Sequence, residues 1–428
     1  MGMRRVGSLR FLNNIVRFPG CGTFDPGSSF VAVHKRARSI NEPSVPIEFA
    51  DVIRGIHGIT GLMRPVPLYR EAGSAVVTPN PAADAALPVG PFGPQDFYNF
   101  YNENALLSAG VDGSGQTVGI IAETDVHDTD LVTFRTQFGL AAKPLQRIVN
   151  GPNPGIVCPP NNCAEVEAIL DTEWSGAVAP NATILLVITG STPSAAGVYS
   201  SIQYAVNNNV APILSASFGV CEEVFGSGNQ FVEFYWQQAA TQGQTVFVST
   251  GDSGAAGCAT GGNAINGIGS TPFNVAVGGT AATPAGRDSS GIVTGYGNEV
   301  VWDDLSGATG GGASIIYTKP AWQSGLGVPA DGARDVPDIA LQASPYTQGY
   351  WIAAADIGGF VPTGGTSASA PAMAGIYALI NQMYGRQGNA NPQIYALGRA
   401  QFGPSVTAGS TDAVARLAEQ IPQNPAAK

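Results

Sequence analysis

Gly364-Gly365-Thr366-Ser367-Ala368-Ser369-Ala370-Pro371-Ala372-Met373-Ala374-Gly375 is a run of small residues that encloses two serines and leads into a helix. Such a run sets a nucleophilic serine on a tight turn ahead of a helix N-terminus. A serine hydroxyl needs a neighbouring base before it can attack. The chain holds 3 histidines, His34, His57 and His127, and none stands in a catalytic setting. A carboxylate must then be the base, and a carboxylate base implies work at acidic pH.

Upstream, residues 164–176 read Ala-Glu-Val-Glu-Ala-Ile-Leu-Asp-Thr-Glu-Trp-Ser-Gly. Val166, Ile169, Leu170 and Trp174 share one face of a helix. Glu167 and Asp171 are four positions apart, and at about 100° per residue they project close together beside that apolar stripe. The pair is expected at the rim of the core, partly desolvated and sharing a proton, with one pKa raised. The bland alternative is a solvated acidic face. Glu165 and Glu173 point elsewhere on the wheel and read as structural.

A third carboxylate closes the strand Val246-Phe247-Val248-Ser249-Thr250-Gly251-Asp252-Ser253-Gly254. Asp252 would emerge at the carboxyl end of that strand, where ligands bind in parallel sheets. Protonated, it could donate to an oxyanion; otherwise it caps a turn. An aspartic-protease reading of Asp-Ser-Gly needs a second such loop, and the chain has none.

Apolar runs at Thr117–Ala122, Thr183–Ile188, Ala211–Ser217, Thr245–Ser249 and Phe273–Val277 read as buried strands. Helical patterns at 128–138, 164–178, 195–208 and 228–242 fall between them. Strands alternating with helices predict an α/β fold, a mainly parallel central sheet flanked by helices on both faces. No internal repeat is visible.

The 428 residues are 44% hydrophobic and 12% charged, with 56 Gly and 31 Pro, so the chain is globular and rich in turns. Net charge is −11, and seven Lys or Arg against one acid in residues 1–40 leave the remainder more acidic still. Such a surface repels nucleic acid at neutral pH and loses charge in acid. No apolar run is long enough to cross a membrane. Cys158 and Cys163 bracket a turn-rich loop, Cys221 and Cys258 each follow a strand end, and two bridges would imply an oxidising compartment. Cys21 is left over, and no zinc-type cluster is present.

Together these motifs resemble the sedolisin family of serine-carboxyl peptidases, which has a subtilisin-like fold and includes kumamolisin and tripeptidyl-peptidase types. The matching features are Gly-Thr-Ser-x-Ser-x-Pro at 365–371, Glu-x-x-x-Asp at 167–171 followed by Gly176-Ala177-Val178-Ala179-Pro180, and Gly-Asp-Ser-Gly at 251–254. Ser215-Ala216-Ser217-Phe218-Gly219, the segment 310–323 and Val336-Pro337-Asp338-Ile339 also match. The resemblance covers about Gly93 to Tyr395. It implies a secreted endopeptidase or tripeptidyl-peptidase, made as a zymogen and working in acid on protein or peptide substrates as a monomer, without nucleic acid or membrane. Ser367 would be the nucleophile, Glu167 the base, Asp171 its orienting partner and Asp252 the oxyanion donor. Ser217, Phe218, Gly219 and Gly310, Gly311 and Gly312 would line the substrate cleft. Subtilisin proper is disfavoured, because the acid helix stands where a His-Gly-Thr-His helix would be.

The expected organisation is an unassigned segment 1–40, the end of a prodomain at 41–71, a linker and processing region at 72–94, the catalytic domain at 95–400 and a tail at 401–428. The chemistry needs no cofactor. The family's structural calcium is expected, but Ser405-Val406-Thr407-Ala408-Gly409 carries Ser405 where the opening Asp belongs, so no metal ligands are assignable. Basic residues interrupt any apolar stretch in residues 1–20, so a signal peptide is not legible and a truncated gene product is one reading. The alternative function is an impaired relative that keeps the fold as a binding protein.

Overall fold

The computed structural model describes residues 64–71, 90–159, 163–193, 195–257 and 265–401. All lie within the compact unit Ala37–Lys428. The segment 1–40, the tail 402–428 with Ser405, and Cys258 lie outside the described residues.

The centre is an eight-stranded sheet of β1 (Thr117–Ala122), β2 (Gln146–Val149), β3 (Thr183–Ile188), β4 (Ile213–Ala216), β5 (Thr245–Ser249), β6 (Val275–Arg287), β7 (Val293–Val301) and β8 (Ile339–Gln342). Its order is β7-β6-β5-β4-β1-β3-β2, with β8 beside the first part of β6. The β6–β7 pairing is antiparallel and every other is parallel. The helices around this sheet are α1 (Pro94–Phe100), α2 (Asp128–Gln137), α3 (Ala164–Val178), α4 (Gly197–Asn207), α5 (Gly228–Thr241) and α6 (Thr366–Tyr384), with α2 packed on α3 and on the strand Tyr350–Ala354.

Strand periodicity sorts the core into two layers. Ile120, Leu186, Ile188 and Phe247 join a cluster with α3 and α6, whereas Ile121, Leu185, Val187 and Val248 join one with α4 and α5. Successive side chains on a strand point to opposite faces, so both faces are apolar and both need helical cover. No helix among the described residues is long and apolar enough to cross a membrane.

Three expectations change. The strand expected at Phe273–Val277 begins at Val275 and runs on to Arg287, where it forms a hairpin with β7. Its Gly, Ala, Thr and Pro content carries no apolar alternation to announce it. The folded domain begins before Gln95: Phe92 is fully buried and bridges Tyr350. Glu167 and Asp171 lie inside the core, because α3 is covered on all sides, Glu165 and Glu173 included. Phe97, Phe134 and Tyr350 pack on Trp174 of the apolar stripe, and off that stripe the His127 N–H donates to Glu165 and the Ala353 N–H to Glu173.

Candidate active site

α3 and α6 lie on one face of the sheet and touch through small residues. Gly375 packs so tightly on α3 that a Cβ there would come within 2.7 Å of Val178 Cβ and 3.0 Å of the Ser175 carbonyl. The Cys158–Cys163 disulfide closes the loop that feeds α3, with Cys163 at its N-cap. Cys221 is also disulfide-bonded, and its expected partner Cys258 is outside the described residues.

Ser367 stands in the first turn of α6, buried with Glu167, Asp171 and Asp252. Pro371 follows it by four residues and has no N–H to give, so the Ser367 carbonyl lacks its usual intrahelical donor. Ser217 Oγ lies 3.5 Å from that carbonyl. The same hydroxyl donates to Asp171 Oδ1 at 2.7 Å. Asp171 Oδ2 has no hydrogen-bond partner.

Burial raises Glu167 well above the ordinary range, and the nearby Asp171 adds to the effect. Burial also raises Asp171, and its bond from Ser217 pulls the other way. The Ser367 hydroxyl is close enough to Glu167 to help hold its pKa down. Even so, neither Ser367 Oγ nor Glu167 Oε1 meets a partner in hydrogen-bond geometry. Such contacts are often loose before substrate is engaged.

Asp252 sits at the end of β5. Its Oδ1 accepts from the Thr366 N–H and from Thr366 Oγ1, each at 2.8 Å. Oδ2 has no hydrogen-bond partner, and Arg70 Nε lies 3.9 Å away. Burial pushes the group up to about 6, against the opposing pull of Thr366 and the Arg70 guanidinium. Asp252 is therefore protonated in acid and ionised at neutral pH.

The segment Arg64–Glu71 lies across these groups. The Ser367 N–H donates to the Leu68 carbonyl at 3.1 Å. The Leu68 N–H is shared between Glu167 Oε2 at 2.7 Å and the Ser217 carbonyl at 3.2 Å. Val66 and Pro67 pair antiparallel with Gly219 and Phe218, and Arg70 and Glu71 with Gly364 and Thr363. Gly365 makes the approach possible: φ there is +94°, and a Cβ would lie 2.5 Å from Asp252 Oδ2 and 2.7 Å from the Leu68 oxygen. An extended chain therefore runs past Ser367 with one carbonyl on its N–H.

Of the expected cleft residues, Ser217, Phe218 and Gly219 meet this segment. Gly310, Gly311 and Gly312 are committed elsewhere: the Gly310 N–H donates to the Gly251 carbonyl at 2.6 Å, Gly311 abuts Val336 and Pro337, and Gly312 pairs with Val336. Their chain holds the Asp252 turn in place. Ser369 donates to the carbonyls of Leu341 and Gln342, a structural role. Sequence reasoning missed Thr366 as the partner of Asp252 and Leu68 as the residue against Ser367. It also missed Ser217 as the partner of Asp171. Thr366 carried a signal, because it adjoins the nucleophile in a motif already singled out; Leu68 carried none.

Among the described residues, two groups bring three potential metal-ligand atoms together: Cys158, Cys163 and Glu165, and His127, Glu165 and Asp356. The first is spent on the disulfide. The second is separate from Ser367 and its partners.

The chain is 31% identical over 391 residues to kumamolisin of Bacillus sp. (strain MN-32), a match covering 87% of this chain and 67% of that protein. This protein belongs to the sedolisin family. Sedolisin of Pseudomonas sp. (strain 101) is 31% identical over 356 residues, covering 78% of this chain and 57% of that protein. A solved structure of Pseudomonas sedolisin, a serine-carboxyl proteinase complexed with two molecules of pseudo-iodotyrostatin, superimposes with a TM-score of 0.60 at 28% identity, over 73% of this chain and 86% of that one. No family model matches the chain. The chain thus spans about two thirds of the length of the first of these curated relatives and just over half of the second. The sedolisins are serine-type peptidases, which agrees with the serine, the buried acids and the mainly parallel sheet found here.

Proposed function

We propose that this sedolisin-family chain hydrolyses peptide bonds in acid through Ser367, Glu167 and Asp171, with protonated Asp252 as oxyanion donor. The observation that carries the reading is the Leu68 carbonyl resting on the Ser367 N–H, with Glu167 on one side and Asp252 on the other. Peptides and unfolded proteins are the substrate class, bound as extended strands against Phe218–Gly219 and Thr363–Gly364.

Ser367 Oγ attacks the carbonyl carbon and passes its proton to Glu167. Charge grows on the carbonyl oxygen, where the Ser367 N–H and the Asp252 carboxyl proton receive it. The Asp252 proton is present only below about pH 6. Glu167 and Asp171 hold one shared negative charge, so the acidic limb belongs to the pair and not to either residue. Activity follows a bell confined to acid.

The test is digestion of a denatured protein from about pH 2 to 8, with Glu167→Gln beside the parent chain. Activity that peaks at neutrality, or that survives intact in Glu167→Gln, overturns the reading. Asp252→Ala is expected to lower kcat by about 10²–10³-fold. In Asp252→Asn, the amide oxygen can keep the Thr366 bonds while its N–H₂ takes the place of Oδ2. The neutral-pH limb should then extend above pH 6 in a pH–rate profile. Ser217→Ala removes a bond that favours ionised Asp171, so the acidic limb should move to higher pH. An unchanged limb would show that Ser217 does not tune the pair.

A further inference from the structure

We infer that His127, Glu165 and Asp356 form a binding site for a divalent transition-metal ion of the zinc type. One donor atom from each residue, an imidazole nitrogen and two carboxylate oxygens, lies within 4.8 Å of the other two. Three elements far apart in the chain supply them. His127 is the N-cap of α2, Glu165 stands in the first turn of α3, and Asp356 belongs to the 3₁₀ turn Ala355–Ile357 that follows the strand at Tyr350–Ala354. No spacing rule links residues so placed, and the cluster exists only once the chain is folded.

Glu165 points to a ligand independently of the clustering. The residue is 1% exposed. Its Oε1 accepts from the His127 N–H at 2.9 Å, while its Oε2 is buried with no hydrogen-bond partner. A buried carboxylate oxygen without a donor is costly. Arg147 reaches both neighbours of His127, but it spends its donors on Asp125, Asp128 and the Val126 carbonyl. Asp130, buried in the first turn of α2, is close enough to His127 and Asp356 for their charges to act on it, and its Oδ2 takes the Ala355 N–H at 3.1 Å. Three carboxyl groups thus gather around one imidazole, and a divalent cation balances them.

The geometry suits a four-coordinate ion. His127 Nε2 and Asp356 Oδ2 are 3.6 Å apart. Two ligands on a tetrahedral ion with bonds of about 2.0–2.1 Å stand about 3.4 Å apart, so this edge is already near its bound length. Both side chains are partly exposed and can draw in on the fixed Glu165, and their solvent side leaves a fourth position for water. The imidazole decides the class of ion. Calcium and magnesium take sets of oxygens, whereas imidazole with carboxylate suits zinc and its neighbours. The bound ion joins α2, the Ala355–Ile357 turn and the first turn of α3, two residues ahead of Glu167. It takes no part in hydrolysis and acts on stability, by binding the folded chain alone.

The experiment is done at neutral pH, because these ligands must be free of protons to bind. The full chain is titrated with Zn²⁺ by calorimetry and with Co²⁺ in the visible spectrum, and its melting is followed with and without Zn²⁺. The expected results are zinc binding, ligand-field bands from cobalt, and a melting temperature higher by about 3 °C at a hundredfold excess of zinc over its Kd. His127→Gln and Asp356→Asn change partly exposed side chains and leave the His127 N–H bond to Glu165 in place, so both chains should fold. Each should bind zinc about 100-fold more weakly and lose the melting shift, and His127→Gln should lose the cobalt bands. Calcium should produce no shift that depends on His127. A parent chain that binds no zinc overturns the inference. Zinc bound as tightly by either variant as by the parent also overturns it, because the ion then sits on other residues.

Discussion

Ser367→Ala is expected to abolish acid hydrolysis of a denatured protein, a fall of about 10⁶-fold in kcat, with the fold intact. The size of the effect follows from how the site is divided. The N–H of residue 367 and the Asp252 carboxyl would remain to polarise a carbonyl, but no other hydroxyl stands between Glu167 and that carbonyl. The Ser367 hydroxyl is buried and makes no hydrogen bond. Burying an unpaired polar group is unfavourable, so the alanine chain should melt at the same temperature as the parent or slightly higher. Residual acid activity at the parent level would move the chemistry to another residue. A lowered melting temperature would show that the hydroxyl also supports the fold.

The second large effect is on stability as a function of pH. Glu103 is fully buried with neither carboxyl oxygen hydrogen-bonded, and burial raises its pKa well above the ordinary range. Glu173 is raised by burial too, although its Oε2 accepts from the Ala353 N–H at 3.0 Å. Glu167 and Asp171 move the same way. In the folded chain Glu103, Glu173 and the Glu167–Asp171 pair, which shares one proton, hold protons at a pH where the unfolded chain has released them. Their contribution is therefore whole below the ordinary carboxylate range and is lost as pH rises toward their folded-state values. Each unit of difference amounts to about 1.4 kcal/mol, so three such protons, on Glu103, on Glu173 and shared by Glu167 and Asp171, weigh heavily against a net stability of about 5–15 kcal/mol. Asp112 and Asp304 shift downward, but both are partly exposed and count for little. Melting of the Ser367→Ala chain, which removes self-digestion, should give its highest temperature near pH 4 and a steady fall toward pH 8. Glu103→Gln, which is neutral at every pH, should flatten that fall. A melting temperature that climbs between pH 5 and 7 would contradict the assignment.

The nucleophile turn and the acid helix were legible because their signals are local. Small residues around Ser367 and an i, i+4 spacing of Glu167 and Asp171 depend only on neighbours along the chain. Glu165 and Glu173 show the limit of that reading. On a helical wheel they face away from the apolar stripe, yet both are buried, because elements distant in sequence close over α3. The long β6–β7 hairpin was missed for a related reason: its pairing is set by the partner strand, and its Gly- and Thr-rich residues show no alternation of their own. The glycines at 310–312 were expected in the cleft from the family resemblance, whereas the backbone bonds of their chain hold the Asp252 turn.

The amino-acid sequence by itself determined the layered α/β plan, because continuously apolar strands demand cover on both faces and period-3.6 helices demand a partner for one. It also determined the chemical inventory, a serine with carboxylates and no suitably placed histidine. Only the tertiary structure decided which carboxyl meets which donor, how deeply each is desolvated, and that Leu68 lies on Ser367. Those facts join residues separated by roughly fifty to three hundred positions, and at such distances contact depends on how the layers pack and not on spacing along the chain.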